Sequence, residues 1–472
     1  MPESERIETE MDAPKPLTDI FTIEKCHFRG DGMARTADGR MIRIANAWPG
    51  EIVKARDVSV ERCRQAALVE VLQPSPHRVP PLCGQFQRCA ACQFQTLSPS
   101  AQQTTKKQNW IRLFRRFVEL KESTTLDFCA PAQTTAYRHR TEASVTHGIL
   151  GLAPRNDVAR LETLAGAPHP LPVDMTRCAL HAPELNALMA DVQARLADLG
   201  LIDGMKLGVE AMGNPHDASG TDWRTRRLTV YADPSLQDAA RATSAALSRA
   251  FDTASVVCQI LPPHGSHVYP KPECFSDSEW YRYDTVPEAT SFGGPLLALK
   301  GAWTPVSPAN AHLIRDTLSR LLSPFAFEHL LELGCGCGTH AALLCRHADH
   351  YVGIDASWPA ILSAQKNAAI HGWENAAFYT DTAEHYLDKR YYQGRRANAV
   401  VMHSNRMPYS RRVAEWCMRF GARHLFIVGP TAYALAQECR HFVDLGYSLH
   451  ALTLCDTMPM TYHMMGVAYL AL

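Results

Sequence analysis

Apolar and polar positions between residues 17 and 75 alternate in short bursts, at 21–26, 40–45, 51–58 and 66–72. Turn signals separate them: Arg29-Gly30-Asp31-Gly32, Asp38-Gly39 and Pro49-Gly50. Period-two runs at this spacing predict a small antiparallel β-barrel. From Ser98 to Leu120 the period becomes helical and the polar positions basic, with Lys106, Lys107, Arg112, Arg115 and Arg116. Between 125 and 300, strand-like runs at 141–152, 226–233 and 255–261 accompany one clear helix over 184–200, which predicts a mixed α/β region. After 301 the rhythm changes again. A helix at 310–322 precedes a strand at 329–334, a Gly-rich turn, a helix at 339–347 and a strand at 351–356. A helix at 358–372 and strands at 376–380 and 398–403 follow. Strands separated by single helices predict a doubly wound parallel sheet.

The expected organisation is an α/β multidomain protein. It comprises an acidic tail over 1–16, a barrel over 17–78, a central region over 79–300 and a Rossmann-like domain over 301–472. The tail has no apolar core and no Arg-rich pattern, so it reads as disordered and not as a targeting segment. No run of about 18 apolar residues occurs, so no membrane span is expected.

Composition changes this picture in two places. The 48 basic and 48 acidic residues cancel. Between residues 17 and 120, however, 16 Lys and Arg stand against 9 Asp and Glu. Such a local surplus marks either a solvated face or a phosphate-binding surface. The 15 cysteines, without a secretory signal, point to a reducing compartment, where grouped thiols serve metals more often than disulfides. A cytoplasmic location is the corresponding expectation.

Two constellations carry chemistry. Glu332-Leu333-Gly334-Cys335-Gly336-Cys337-Gly338 closes a strand and opens a helix, offering backbone amides to a ligand. Asp355 ends the next strand, placed for two ribose hydroxyls, and Asp381 ends a third, placed for an adenine. This form of the turn fits S-adenosylmethionine better than a dinucleotide. The second constellation is Cys83, Cys89 and Cys92, with Cys178 further on. Four thiolates suit either an iron–sulfur cluster or tetrahedral zinc.

On these residues the chain resembles the bacterial uracil-5 RNA methyltransferases that carry a TRAM domain and a [4Fe-4S] cluster. The resemblance runs from about residue 17 to 472. Gly30-Asp31-Gly32-Met33-Ala34-Arg35 and Pro49-Gly50-Glu51 look like TRAM signatures, and Pro74-Ser75-Pro76-His77-Arg78-Val79 leads into the cysteines as it does in that family. Tyr137-Arg138-His139-Arg140 and the closing Pro459-Met460-Thr461-Tyr462-His463 also align. The resemblance implies an OB-like TRAM barrel, a central RNA-binding domain and a class I methyltransferase domain. It further implies S-adenosylmethionine as cofactor and Cys83, Cys89, Cys92 and Cys178 as ligands of a [4Fe-4S] cluster, with zinc the lesser reading. A monomer that meets structured ribosomal or transfer RNA through Arg35, Lys106, Lys107, Arg138 and Arg140 is expected, with no DNA and no membrane partner.

Uracil-5 methylation needs a thiolate that adds at C6 and a base that removes the C5 proton. The family's Ser-Cys-Asn-Pro turn reads Val428-Gly429-Pro430-Thr431, so Pro430 falls on the nucleophile. Met465 falls on the catalytic glutamate, His403 opens the segment that replaces an Asp-Pro-Pro-Arg loop, and Pro305 replaces a glutamine. The catalytic positions are therefore degenerate while the cofactor turn and all four cysteines remain. Two readings follow. One is an RNA-binding factor of ribosome or tRNA maturation that does not methylate uracil C5. The other is an active methyltransferase using an unrecognised thiol (Cys335, Cys337, Cys417, Cys439 and Cys455 are the candidates) or a different target atom. His403 and His463 are then the candidate bases.

Overall fold

The computed structural model describes residues 18–59, 64–131, 133–166, 170–211, 226–252, 254–262, 272–276, 280–283, 296–404 and 407–472. The expected tail over 1–16 lies outside them, as do Asn405 and Arg406. The chain forms two units.

The first unit takes in the residues up to Arg78 together with Arg155–Pro170. Its sheet runs in the order Thr18–Thr22, Ile52–Asp57, Gln65–Gln73, Met41–Ile44, Gly32–Arg35, Lys25–Cys26. Alternate residues point inward, so Phe21, Ile42, Ile44, Val53 and Ala55 form its core while Lys54 stays outside. Glu51 explains two of the motifs at once. It is fully buried and accepts from the Trp48 and Ser75 amides at 2.8 and 3.0 Å and from Arg78 Nε at 2.6 Å. The Pro49-Gly50-Glu51 turn is thereby fastened to the segment that leaves the unit. One boundary differs from expectation. The helix Asn156–Leu164, assigned by sequence to the central region, packs on Gln65–Gln73, and Arg160 Nη1 donates to the Val58 carbonyl at 2.8 Å. Its apolar positions are few, which concealed where it belonged.

Among the described residues the second unit holds two large sheets and a two-stranded one, Trp280–Arg282 with Leu297–Leu299. The central one runs Val173–Asp174, Ile149–Leu152, Arg140–Thr146, Lys206–Ala211, Arg226–Ala232, Ala254–Ile260, Glu273–Cys274. The single run expected over 141–152 is a hairpin. His147 and Gly148, with φ of 51° and 70°, turn the chain between the two strands. The helices Pro183–Ala194 and Gln237–Ala250 cover the sheet with Leu185, Leu188, Val192 and Leu247.

The C-terminal sheet has the order Ala376–Thr380, Ala348–Asp355, Phe327–Leu333, Ala399–His403, His424–Gly429, Met465–Ala471, Ser448–Cys455, Thr125–Cys129. Its first five strands are parallel, and Met465–Ala471 is antiparallel to both neighbours. The strand Thr125–Cys129 comes from the region assigned to the central domain, so the 301 boundary understates this fold. One face of the sheet packs on the helices Pro308–Leu322 and Trp358–His371, the other on Arg411–Arg419 and Ala432–Val443. Among the described residues no helix is long and apolar enough to cross a membrane.

The basic helix Pro99–Phe114 packs on the second of these faces through Trp110 and Phe114. Its buried stripe also holds Gln102, Lys106 and Asn109. Lys106 therefore does not meet RNA. Its ammonium is buried and ion-paired with Asp456, and it donates to the Met458 carbonyl at 3.0 Å. Burial lowers the lysine's pKa and raises the aspartate's, and each charge offsets the other's loss of water. Removing one member of such a pair strands the other, a change of about 3–5 kcal/mol. Lys106→Met is accordingly expected to lower unfolding stability in urea by about that amount. Lys107→Met, on the exposed side, should stay within about 0.5 kcal/mol. Equal effects would contradict the pairing.

Candidate functional site

In the C-terminal sheet the strand order reverses between Phe327–Leu333 and Ala399–His403, because the chain adds strands on one side of the first and then returns to its other side. The crevice beyond the carboxyl ends of those two strands is where doubly wound sheets bind ligands. Gly334 follows one strand and His403 ends the other.

The Gly-rich turn is shaped for that place. Gly334, Gly336 and Gly338 all have positive φ, at 77°, 56° and 79°. A Cβ on Gly334 would come within 3.0 Å of the His403 carbonyl, whereas one on Gly336 would meet nothing within 4 Å. The open side of the turn is thus at Gly336. The Gly336 amide donates to Asp355 Oδ2 at 3.0 Å and the Ser357 amide to Oδ1 at 2.8 Å. Burial raises the Asp355 carboxyl's pKa, and these two N–H groups act against the rise. Asp381 follows the third strand, accepts from the Thr382 amide at 2.8 Å and contacts His385 Nδ1 at 2.7 Å. Glu332, expected on the cofactor, is fully buried instead. It accepts the Tyr351 hydroxyl and lies 2.6 Å from His403 Nε2.

Two of the positions that the resemblance marks as catalytic, Pro430 and Met465, lie along the same carboxyl edge. In the turn after His424–Gly429, Pro430 precedes Thr431, whose side chain caps the next helix by accepting the Ala434 amide at 3.1 Å. Gly429 is obligatory there, since a Cβ would fall 2.7 Å from that of Leu435. Met465 opens the next strand, opposite Cys455, and Pro305 lies across a small cavity from His340.

Cys335, Cys337, Cys417 and Cys439 are buried, and burial pushes each thiol up, that of Cys337 to about 12. Cys455 pairs in register with Cys129, a cysteine that sequence reading did not single out because its strand comes from a distant region. Cys129 is the more ionisable of the two, its thiolate favoured by hydrogen bonds from Cys455 and Thr317. Both stand too far along the edge. At about 4.8 Å per strand, Cys455 is roughly 10 Å and Cys129 roughly 14 Å from the strand bearing Gly429.

Cys83, Cys89, Cys92 and Cys178 line one cavity of about 320 Å³ with Phe86 and Met175. The Ala91 amide points at Cys89 Sγ from 3.4 Å. Burial raises the thiols of Cys89, Cys92 and Cys178, that of Cys92 to about 12, and the charge of Arg138, expected on RNA, acts against the rise. Arg140 is likewise engaged, ion-paired to Glu142 and Glu210. Arg35 and Lys107 are exposed. Among the described residues no three His, Cys, Asp or Glu side chains converge closely enough to hold a single metal ion.

Comparison with known proteins agrees with this geometry. A family model described as a methyltransferase domain matches residues 327–422. The chain is 24% identical over 464 residues to the 23S rRNA (uracil(1939)-C(5))-methyltransferase RlmD of Vibrio parahaemolyticus, covering 96% of this chain and 98% of that one. To the protein of the same name from Methylococcus capsulatus it is 26% identical, covering 96% and 97%. The chain resembles the RNA (uracil-5-)-methyltransferases over nearly its whole length. The tRNA (uracil-54, C5)-methyltransferase of Pyrococcus abyssi, solved with S-adenosyl-L-homocysteine, has the same fold. Its TM-score is 0.68 at 17% identity, over 96% of this chain and 99% of that one. Like the RNA (uracil-5-)-methyltransferases, the chain has a C-terminal class I methyltransferase domain and a β-rich N-terminal unit.

Two expectations follow for the crevice. Replacing Asp355 by Ala removes a charged acceptor worth about 1.5–3 kcal/mol. Calorimetry with S-adenosylhomocysteine should show affinity roughly 10- to 100-fold weaker. Unchanged affinity would remove Asp355 from the site. The second expectation concerns Glu438, buried beneath the loop after His403, where it accepts from Ser404 Oγ and from the Tyr409 amide at 2.6 Å. Burial raises its carboxyl from 4.5 to about 7. The folded state then holds the extra proton. Its stabilising contribution is full below 4.5 and is lost as pH rises through about 7. Glu438→Gln should therefore flatten the fall in stability across that window, read by thermal unfolding at stepped pH.

Proposed function

We propose that this protein binds structured ribosomal or transfer RNA together with S-adenosylmethionine and does not methylate uracil at C5. The observation that carries this reading is the nucleophile turn. By the resemblance, Pro430 falls where the family has its thiol and Met465 where it has its carboxylate, and among the described residues no cysteine lies on the strands Ala399–His403, His424–Gly429 or Met465–Ala471. C5 of uracil is too weak a nucleophile to attack a sulfonium until a thiolate has added at C6, so loss of the thiol removes the reaction. The cofactor crevice is intact by the same geometric criteria, with three positive-φ glycines and Asp355 tied to the turn.

The four cysteines suit a [4Fe-4S] cluster. Zinc would draw its thiolates to about 2.3 Å from one point. A cavity of about 320 Å³ with four thiols on its walls has room for a polynuclear group. The N-terminal unit suits a TRAM barrel over residues 17–78, with Arg35 and, beyond it, Lys107 as exposed cations for phosphates. Participation in ribosome or tRNA maturation, as a cytoplasmic monomer, completes the reading.

RNA from a deletion strain and its complemented counterpart would be compared by nucleoside mass spectrometry, with retention of RNA on the purified protein measured alongside. Equal 5-methyluridine in the two strains, with RNA retained, is the expected result. A 5-methyluridine that disappears with the gene would overturn it. For the cluster, anaerobically purified protein should carry iron and acid-labile sulfide in equal amounts, and Cys89→Ser should lose both.

A further inference from the structure

The residues at the switch point provide what a different methyl transfer needs. His403 replaces a carboxylate at the end of its strand and is held there from two sides. Its Nε2 lies 2.6 Å from Glu332 Oε1, and its ring stacks on that of His340 with centroids 5.0 Å apart and planes within 5°. Glu332 is fully buried while His403 keeps 18% of its side chain exposed, so the carboxylate lies behind the imidazole and the imidazole faces the crevice.

A carboxylate only accepts, so Nε2 carries the proton and donates it to Glu332. Nδ1 is then the ring's free lone pair, and among the described residues it has no hydrogen-bond partner. Burial, His403, Arg315 and His312 together hold His340 well below the ordinary histidine range. The stacked neighbour is therefore neutral and does not repel a proton arriving on His403. Its own Nδ1 is buried and unpartnered among the described residues. The arrangement is that of a carboxylate orienting an imidazole so that its other nitrogen acts as a base. It stands against the cofactor turn, since a Cβ on Gly334 would lie 3.4 Å from that of His403.

We propose that the protein transfers the methyl group of S-adenosylmethionine to a proton-bearing nitrogen or oxygen of an RNA nucleotide, with His403 as the proton acceptor and Glu332 as its positioning residue. Such an atom carries its own lone pair, so no covalent adduct precedes transfer. The nucleophile forms a bond to the methyl carbon as the carbon–sulfur bond breaks. That electron pair stays on sulfur to give S-adenosylhomocysteine. The proton of the nucleophile passes to Nδ1 of His403. The absence of a thiol at Pro430 and of an acid at Met465 is then compatible with retention of the cofactor crevice.

This inference rests on the proposed binding of RNA and cofactor. The full-length protein is incubated with labelled S-adenosylmethionine and total RNA from the deletion strain. Retained RNA, bound S-adenosylhomocysteine and the methylated nucleoside are measured in the same preparation. Label on a nitrogen or oxygen is expected. His403→Ala should lower kcat by about 10²–10⁴-fold with S-adenosylhomocysteine affinity unchanged, as for removal of a general base. Added imidazole should restore part of the rate to His403→Ala and none to Asp355→Ala. Glu332→Gln should also lower kcat, without imidazole rescue. Label on C5, or a His403→Ala rate equal to wild type, would overturn the proposal. RNA and cofactor bound without incorporation would overturn it alone, whereas failure to retain RNA would overturn the binding reading as well.

Discussion

A buried lysine facing a buried aspartate holds the second unit together. Neither Lys106 nor Asp456 would leave water alone, since an isolated charge in an apolar interior shifts its protonation or unfolds its surroundings. Paired, they fix the segment after Cys455, and that segment is then used by everything around it. The Asp456 amide donates to the Cys129 carbonyl at 3.0 Å and the Tyr137 hydroxyl to that of Pro459 at 3.0 Å. The Met460 carbonyl takes the amides of Gln93 and Phe94, both at 3.0 Å. Met460 tolerates a φ of 64° because these bonds and Gln102 Oε1, 3.2 Å from its own amide, determine its place. Helix, cysteine segment and sheet are registered by the five residues from Asp456 to Met460.

That economy also governs what could be read in advance. The doubly wound rhythm after 301 and the Gly-rich turn follow from local periodicity, which one chain displays directly. What escaped depends on contacts between distant segments. Lys106 occupies a buried helical stripe with Gln102 and Asn109. Three polar residues on an inward face look like a solvated, basic surface. Arg140 misled in the same way, because a charge engaged by Glu210 has the same letter as one awaiting phosphate. Cys129 and the helix Asn156–Leu164 were misplaced because their partners lie in regions that their own sequence does not describe. At the site, the place of the Gly-rich turn was legible in the strand rhythm. The union of Glu332 with His403 was not, since 71 residues separate them.

The crevice is held by the backbone itself. Its glycines and Asp355 are constrained through positive φ and close approach, and drift there would damage the sheet edge. Beside it Thr431 caps a helix and Met465 packs among apolar side chains, while the switch point carries the ionisable pair Glu332 and His403.

The eighth strand, Thr125–Cys129, has a consequence for the chain as a manipulable object. It supplies the hydrogen-bonding partner that Ser448–Cys455 would otherwise lack on its outer side. The fragment beginning at residue 301 contains every residue of the family match, and it would present that flank as an open sheet edge, a template for other chains. The same cut would strip Trp110 and Phe114 from the adjacent face. The region that carries the methyltransferase signature is thus not a portable module. It is one portion of a sheet whose completion lies two hundred residues upstream, at about the distance that separates Cys129 from the cofactor turn in sequence.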